Sequence, residues 1–456
     1  MLKLCKQNKS KVIKQIQNKM LDGIAISNSN LVDDIILAMY HAGVLRCLNN
    51  GFPDKRKTNS FIPLCFIMAL AIASKMKNMM SLTDIPFAIT DHRTLAELGY
   101  SSINTNRCGG WMSEGTIRHL IGMYEPNDFF TYYNQVIQKH IFPLFEIQPD
   151  IHILDCTKIA VNPDNNNFEN ASWSVDHRGD KMFGYKLASL RCLYGDTGVI
   201  EDICFGTAAT HDLELCRNIL YTSVCLHEHD VILMDRGFFS REVLYYLKNN
   251  RKVDVYIPLK MNTAEYEMAM TLAEELDDWK PHPSRKNQMI CHVSKVDSSW
   301  QTCNHVEYNV DLNTCVVWSE EDQSYAVFAT TDMSKSAEEI IMMYNMRTEI
   351  EEDFRQLKDF WKLEDFHSTK LNVISFHIVC VLFGYLFYQL YLNTDDGQKY
   401  VGKSLPVILK SYKQEFLDYL VLYSGDYFCS MSMREFMEFR DNCSDEVKKF
   451  ILKFLK

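Results

Sequence analysis

The 456-residue sequence lacks most of the marks of a specialised protein class. Glycine (18) and proline (11) are scarce, which excludes collagen-like and proline-rich disordered architectures. Its 15 cysteines are odd in number and contain no C-x-x-C pair, so neither a disulfide framework nor a zinc ribbon is expected, and the set fits a reducing cytoplasm. Residues 1–20 carry six Lys, no acid and no apolar run of signal-peptide length, so secretion is not expected. One stretch, Leu371–Tyr391, has the length of a membrane span. Asn372, Ser375, His377 and Gln389 interrupt it, and the expectation is a buried core helix with no membrane partner. Positive charge is also in deficit, with 48 Lys and Arg against 59 Asp and Glu, a net charge of −11. No internal repeat or low-complexity segment is present.

What is there reads as a globular chain of about two to four domains, 47% hydrophobic and 23% charged. The acidic average hides an asymmetry. Residues 1–150 hold 16 Lys and Arg against 12 Asp and Glu, a surplus of four cations, so the remainder carries −15. A basic first third on an acidic body is compatible with DNA held at one end and metal-binding carboxylates further along; it is equally compatible with a solvated tail.

The first third has helical spacing at Leu31–Leu48, Phe61–Met79, Leu82–Leu98 and Gly115–Tyr124, with breaks at Gly51-Phe52-Pro53-Asp54 and Gly109-Gly110. That pattern suits either a helix-turn-helix array or a plain bundle. Near residue 150 the texture changes to short β-type runs. Ile151–Leu154 ends on Asp155, Tyr185–Leu193 and Val199–Thr207 follow, and Val231–Met234 ends on Asp235 before a further strand, Val253–Leu259. Helical segments at Leu213–Leu226 and Arg241–Lys248 make this a mixed α/β sheet with two aspartates at strand ends, where open α/β sheets place their chemistry. Residues 261–324 interrupt it with a helix, Ala264–Leu276, and alternating runs such as Thr314–Trp318, before the sheet resumes at Tyr325–Ala329. Cys291, His292, Cys303, His305 and Cys315 lie in this insertion at spacings that match no zinc motif, and core or surface positions are expected.

Ser336-Ala337-Glu338-Glu339 is a capping box that opens a helix expected to run to about Trp361. Tyr344, Arg347, Glu351 and Lys358 fall within roughly 60° of one another on it, at about 100° per residue. Met343, Ile350, Phe354, Leu357 and Trp361 occupy the adjoining arc. The stripe alone could be a solvated face with i,i+4 ion pairs. Together with Asp155 and Asp235, it supplies a third carboxylate to an oxygen cage suited to Mg²⁺ or Mn²⁺. Asp164, Asp176 and Asp180 lie in a polar loop where surface solvation is expected, and neither His177 nor His211 has ligand-type spacing to another His.

Tyr344-x2-Arg347-x3-Glu351-x6-Lys358 resembles, at every spacing, the Y-(2)-R-(3)-E-(6)-K signature of a large group of bacterial insertion-sequence transposases of the DDE type. Asp155-Cys156-Thr157-Lys158-Ile159 looks like that group's first-aspartate block, and Asp235-Arg236-Gly237-Phe238-Phe239-Ser240 like its second. Lys181–Lys186 and His211-Asp212 are similar to the segments between them. The resemblance spans about Ile151–Tyr391.

It implies a ribonuclease-H-like core (149–260 and 325–395) interrupted by a β-rich insertion (261–324) and says little about the flanks; with the segment reading the expectation is a multidomain α+β protein, with a helical N-terminal domain (1–148) for DNA ends and a helical C-terminal region (396–456) offered as a dimer contact. The implied triad is Asp155, Asp235 and Glu351, holding two Mg²⁺ or Mn²⁺ ions. Arg347, Lys358 and Tyr344 are then assigned to DNA contact; Arg236, next to the second aspartate, either touches DNA or makes a structural ion pair, and Trp318 or Trp300 either stacks a flipped base, as the resemblance implies, or is a core residue. The implied function is a DNA transposase that cleaves and rejoins double-stranded DNA at terminal inverted repeats and target sites. It would act as a homodimer on DNA in the cytoplasm. The alternatives are a catalytically silent DNA-binding descendant and a metal-dependent nuclease without strand transfer.

Overall fold

The structure is a computed structural model and describes residues 5–27, 30–50, 55–56, 62–101, 112–175, 179–195, 197–301, 307–411 and 419–455. The expected breaks at residues 51–54 and 109–110 lie outside the described residues, as do Asp176, His177, Cys303 and His305. The chain forms two compact units, residues 133–356 and residues 1–132 with 357–456.

Residues 133–356 are built on one ten-stranded sheet. Its first half comprises β1 (Ile151–Ala160), β2 (Lys181–Tyr194), β3 (Thr197–Thr207), β4 (Val231–Met234) and β5 (Asp254–Pro258), in the spatial order β3-β2-β1-β4-β5. β4 runs parallel to both β1 and β5, whereas β2 is antiparallel to β1 and β3. The apolar run Val231-Ile232-Leu233-Met234 is what a strand covered on both faces requires, and Ile232 to Met234 are fully buried. The outer edge of β3 is closed by side chains: Tyr133 donates to the Ile200 carbonyl (2.9 Å), and the Asn134 amide exchanges two bonds with the Ile203 backbone (2.9 and 3.0 Å).

Strands β6 (Gln288–Asp297), β7 (Asp311–Ser319) and β8 (Ser324–Thr330) come from the inserted segment and its far border. All are antiparallel, and β8 pairs with β5 through Ala329 and Ile257, so the insertion prolongs the core sheet instead of forming a separate layer. Helix Ala264–Leu276, found at the expected bounds, lies on this half, with the Tyr266 hydroxyl donating to the Tyr325 carbonyl (2.8 Å).

The chain departs from three expectations between residues 133 and 359. β1 does not stop at Asp155. Its parallel pairing with β4 ends at Leu154 opposite Met234, but antiparallel pairing with β2 carries it on to Ala160. The Leu213–Leu226 segment is two short helices, Asp212–Leu215 and Arg217–Thr222. The helix that opens at Ser336 is also two, α1 (Ala337–Asn345) and α2 (Thr348–Asp359). Its capping box forms as expected, but the Thr348 hydroxyl donates to the Asn345 carbonyl (3.0 Å) and the chain turns at Met346-Arg347.

In the other unit, α3 (Leu371–Leu392) is buried from Ile374 to Leu392 and lies beside helix Leu64–Met76. Its length and composition pass for a membrane span, but it is the core of this unit. The C-terminal region is not all helical. Tyr419–Ser424 and Tyr427–Ser432 form a hairpin, and Gly23–Ser27 and Lys6-Gln7 add to its two edges, giving a four-stranded sheet from both ends of the chain. Helices Lys9–Gln17, Met433–Asp441 and Asp445–Ile451 cover one face through Val12, Ile16, Phe436, Val447 and Ile451.

Candidate active site

The parallel register of β1 and β4 pairs Leu154 with Met234, so the next residues, Asp155 and Asp235, emerge side by side. Asp155 stays within β1, opposite Ser189 of β2, and its Oδ1 accepts the Cys156 backbone N–H (2.7 Å). Asp235 lies beyond the end of β4, as the cap of a 3-10 turn. Glu351 stands in the first turn of α2, where the helix dipole favours a carboxylate.

One side chain ties the three together. Arg347, placed by the turn between α1 and α2, directs Nη2 to Asp155 Oδ2 at 2.8 Å and to Asp235 Oδ1 at 4.0 Å, and Nη1 to Glu351 Oε1 at 2.6 Å. The helix expected to be continuous is interrupted at Met346-Arg347, and from that turn the Arg347 guanidinium meets the strands. Its Nε is buried with no hydrogen-bond partner among the described residues.

Burial pushes the Asp155 carboxyl up to about 6 despite the pull of Arg347, with Asp235 and Glu351 adding repulsion. Burial also works against the Arg347 charge, but Asp155 and its neighbours outweigh this and raise its pKa. Tyr344, on α1, rests against Phe328 of β8 with ring centroids 5.0 Å apart, and burial raises its phenol.

The donor chemistry fits a hard divalent cation: three carboxylates and no sulfur or imidazole among the converging groups. A guanidinium now sits between them, and among the described residues no three acidic, His or Cys side chains stand close enough to enclose an ion as they are. Arg347 is thus the cation that the carboxylates share, and an ion seated between them would have to displace it.

The other sequence candidates are dispersed. Lys358, seven residues beyond Glu351 on α2, pairs with Glu364 (3.2 Å). Arg236 is exposed and makes no ion pair among the described residues. Trp318 of β7 packs on Tyr325 of β8 at 4.6 Å, and Trp300 stacks on Tyr308 at 4.6 Å with Tyr245 edge-on. In the insertion, Cys291 and Cys315 are core residues and His292 bonds Asn313 (2.6 Å).

Two features escaped the sequence reading. Lys186 of β2 binds Asp212 and the Thr210 carbonyl, both at 2.6 Å. Gly237 separates Asp212 from Asp235, since a Cβ there would lie 3.6 and 3.8 Å from their carboxylates. The second is Arg191 of β2, buried and paired with Glu349 (2.8 Å) and Asp353 (2.5 Å) of α2. No local pattern signals such pairs, whose partners lie up to 162 residues away.

The chain matches the family model of the transposase DDE domain over residues 147–387, more than half its length. No curated protein matches it. Among solved structures it is similar to the cryo-EM structure of a piggyBac transposase synaptic complex with hairpin DNA. The TM-score is 0.41 with 11% identity, over 84% of this chain and 78% of that one.

Proposed function

Because the chain belongs to the transposase DDE domain family and is a DNA-cleaving transposase, we propose that Asp155, Asp235 and Glu351 are its catalytic carboxylates. The observation that carries this reading is their convergence on Arg347 from β1, the end of β4 and the start of α2. Members of the family use divalent metal ions, and here the three carboxylates would hold two Mg²⁺ or Mn²⁺. When bound, such ions activate the attacking oxygen and stabilise the leaving one in an in-line displacement at phosphorus.

The chain's own residues do the rest. Asp155 and Asp235, fixed by the β1–β4 register, present their oxygens from a rigid sheet, and Glu351 closes the set from α2. Arg347 neutralises the carboxylates. Its orphaned Nε–H and its guanidinium fork suit a DNA phosphate, to which the arginine would turn on leaving the carboxylates. Tyr344 flanks that arginine, Lys358 adds a cation two turns along α2, and the exposed Arg236 extends the contact from the β4 end. Trp318 and Trp300 are the aromatic surfaces on which an unpaired base could stack.

The DNA is the element's own terminal repeats and the target duplex, and cutting two ends in concert calls for a DNA-bound homodimer. The test is incubation of the protein with linear DNA carrying the ends that flank its gene, in Mg²⁺ or Mn²⁺, beside Glu351→Gln. Metal-dependent breaks at the ends are expected, absent in the variant while its gel shift persists. Cleavage by Glu351→Gln at the native rate rejects the assignment. Breaks without joined products would favour a nuclease that lacks strand transfer.

A further inference from the structure

We propose that Arg191 is a positioning residue for Glu351, setting the rotation of α2 about its own axis so that the carboxylate meets Asp155 and Asp235. The inference rests on the reading of Glu351 as a metal ligand.

Asp155 is paired with Ser189, and Ile153 with Arg191, so Arg191 projects from the face of the sheet that carries Asp155, two residues further along. There it meets α2. Its Nε binds Asp353 Oδ2 at 2.5 Å and its Nη1 reaches Glu349 Oε2 at 2.8 Å, one guanidinium spanning an i,i+4 pair.

On a helical wheel Glu349 and Asp353 lie about 40° apart, and Glu351 lies about 160–200° from them. The buried residues Ile350, Phe354 and Leu357 occupy the arc between. An apolar stripe alone allows a helix to roll on its bed. Arg191 pins one flank of the stripe, and Glu351 stands on the other. A roll of roughly 20° moves a side-chain end, on a radius of about 5–6 Å, by about 2 Å. Metal and catalytic geometries tolerate about 0.5 Å.

The sheet is shaped to hold the arginine. The β2–β3 register shifts between Leu190 and Arg191, passing from Asp202 to Ile200 and leaving Glu201 as the extra residue of a bulge. Beside it is Gly198, where a Cβ would overlap the Arg191 guanidinium. The arginine side chain is 5% exposed and Asp353 8%, so the pair is held away from competing water.

The test compares wild type with Arg191→Lys, which keeps the charge but loses the two-pronged reach, and with Glu349→Gln, whose site is 42% exposed and spares the buried pair. Glu351→Gln is the reference. Mn²⁺ binding to the DNA-free protein is measured by the electron paramagnetic resonance of free Mn²⁺, with a urea midpoint for each variant. Arg191→Lys is expected to raise the Mn²⁺ half-saturation about 10- to 100-fold, as loss of an orienting partner does, and Glu349→Gln by a smaller factor in the same direction. Folded variants with native Mn²⁺ affinity overturn the proposal; if Arg191→Lys does not fold, Glu349→Gln decides alone. Unchanged Mn²⁺ binding in Glu351→Gln would instead reject the ligand assignment beneath it.

Discussion

At the scale of single residues, Arg347 and His152 show how the same kind of ion cluster can serve opposite ends. Arg347 is shared by three carboxylates of which two are at least 40% exposed, an arrangement open to exchange with a cation from solvent. Arg347→Ala should therefore bind Mn²⁺ more tightly than wild type in the absence of DNA, by about tenfold if the competition is worth a coupling of about 1.4 kcal/mol. DNA-end affinity should fall in the same variant. Mn²⁺ titration and a gel shift give the two readings, and weaker Mn²⁺ binding would contradict the competition. His152 is sealed. Its Nδ1 faces Glu201 (2.5 Å) and its Nε2 faces Asp230 (3.1 Å), with His227 beside Asp230 (3.5 Å) and the Cys192 and Cys225 thiols near Glu201. Burial alone would lower the imidazole, but Glu201 and Asp230 together outweigh it and lift it to about 10. A raised folded-state value means that the stabilisation is complete below the unfolded value near 6.5 and is lost as pH rises towards 10. Thermal midpoints taken from pH 6 to 10 should fall for wild type by more than for His152→Phe, and parallel curves would show that the imidazole is not charged.

At the scale of elements, legibility in the sequence follows the range of the interactions. Ser336 and Glu339 are three residues apart and their capping box was readable; so was helix Ala264–Leu276, whose start and end are local. The spacing of Tyr344, Arg347 and Glu351 was readable too, but not the turn that interrupts the helix between them, where Arg347 meets Asp155, 192 residues earlier. Asp155 could not be seen to lie inside a strand, since β2 alone continues the pairing past it. The Tyr419–Ser432 hairpin was missed because its outer partners sit near residue 25 and residue 6, and short apolar runs carry no sign of such neighbours. Helix α3 yields a prediction of its own. Gly384 lies against Trp361 and Met76, and a Cβ would come within 2.9 Å of the indole. Gly384→Ala should cost about 1–3 kcal/mol by overpacking, despite the higher helix propensity of alanine. A urea midpoint at or above wild type would show that the indole yields.

At the scale of the whole molecule, the unit of residues 1–132 and 357–456 is discontinuous in sequence, whereas residues 133–356 are contiguous. The discontinuous unit depends on a sheet whose central pair, Tyr419–Ser424 and Tyr427–Ser432, is flanked by Gly23–Ser27 and Lys6-Gln7. Deleting residues 1–27 would bare both sides of that hairpin and uncover Leu420, Leu422 and Met431, which Val12 and Ile16 help to bury. The truncated chain is expected to lose residues 419–455 to trypsin under conditions in which the full chain keeps them; equal protection would mean that the hairpin stands without its flanks. The same closure also imposes a schedule on biosynthesis. A ribosome adding about 5–20 residues per second emits Gly23–Ser27 roughly 20–80 s before Tyr419 appears. For that interval a nascent strand waits without its partner while the contiguous unit is already out and free to close first.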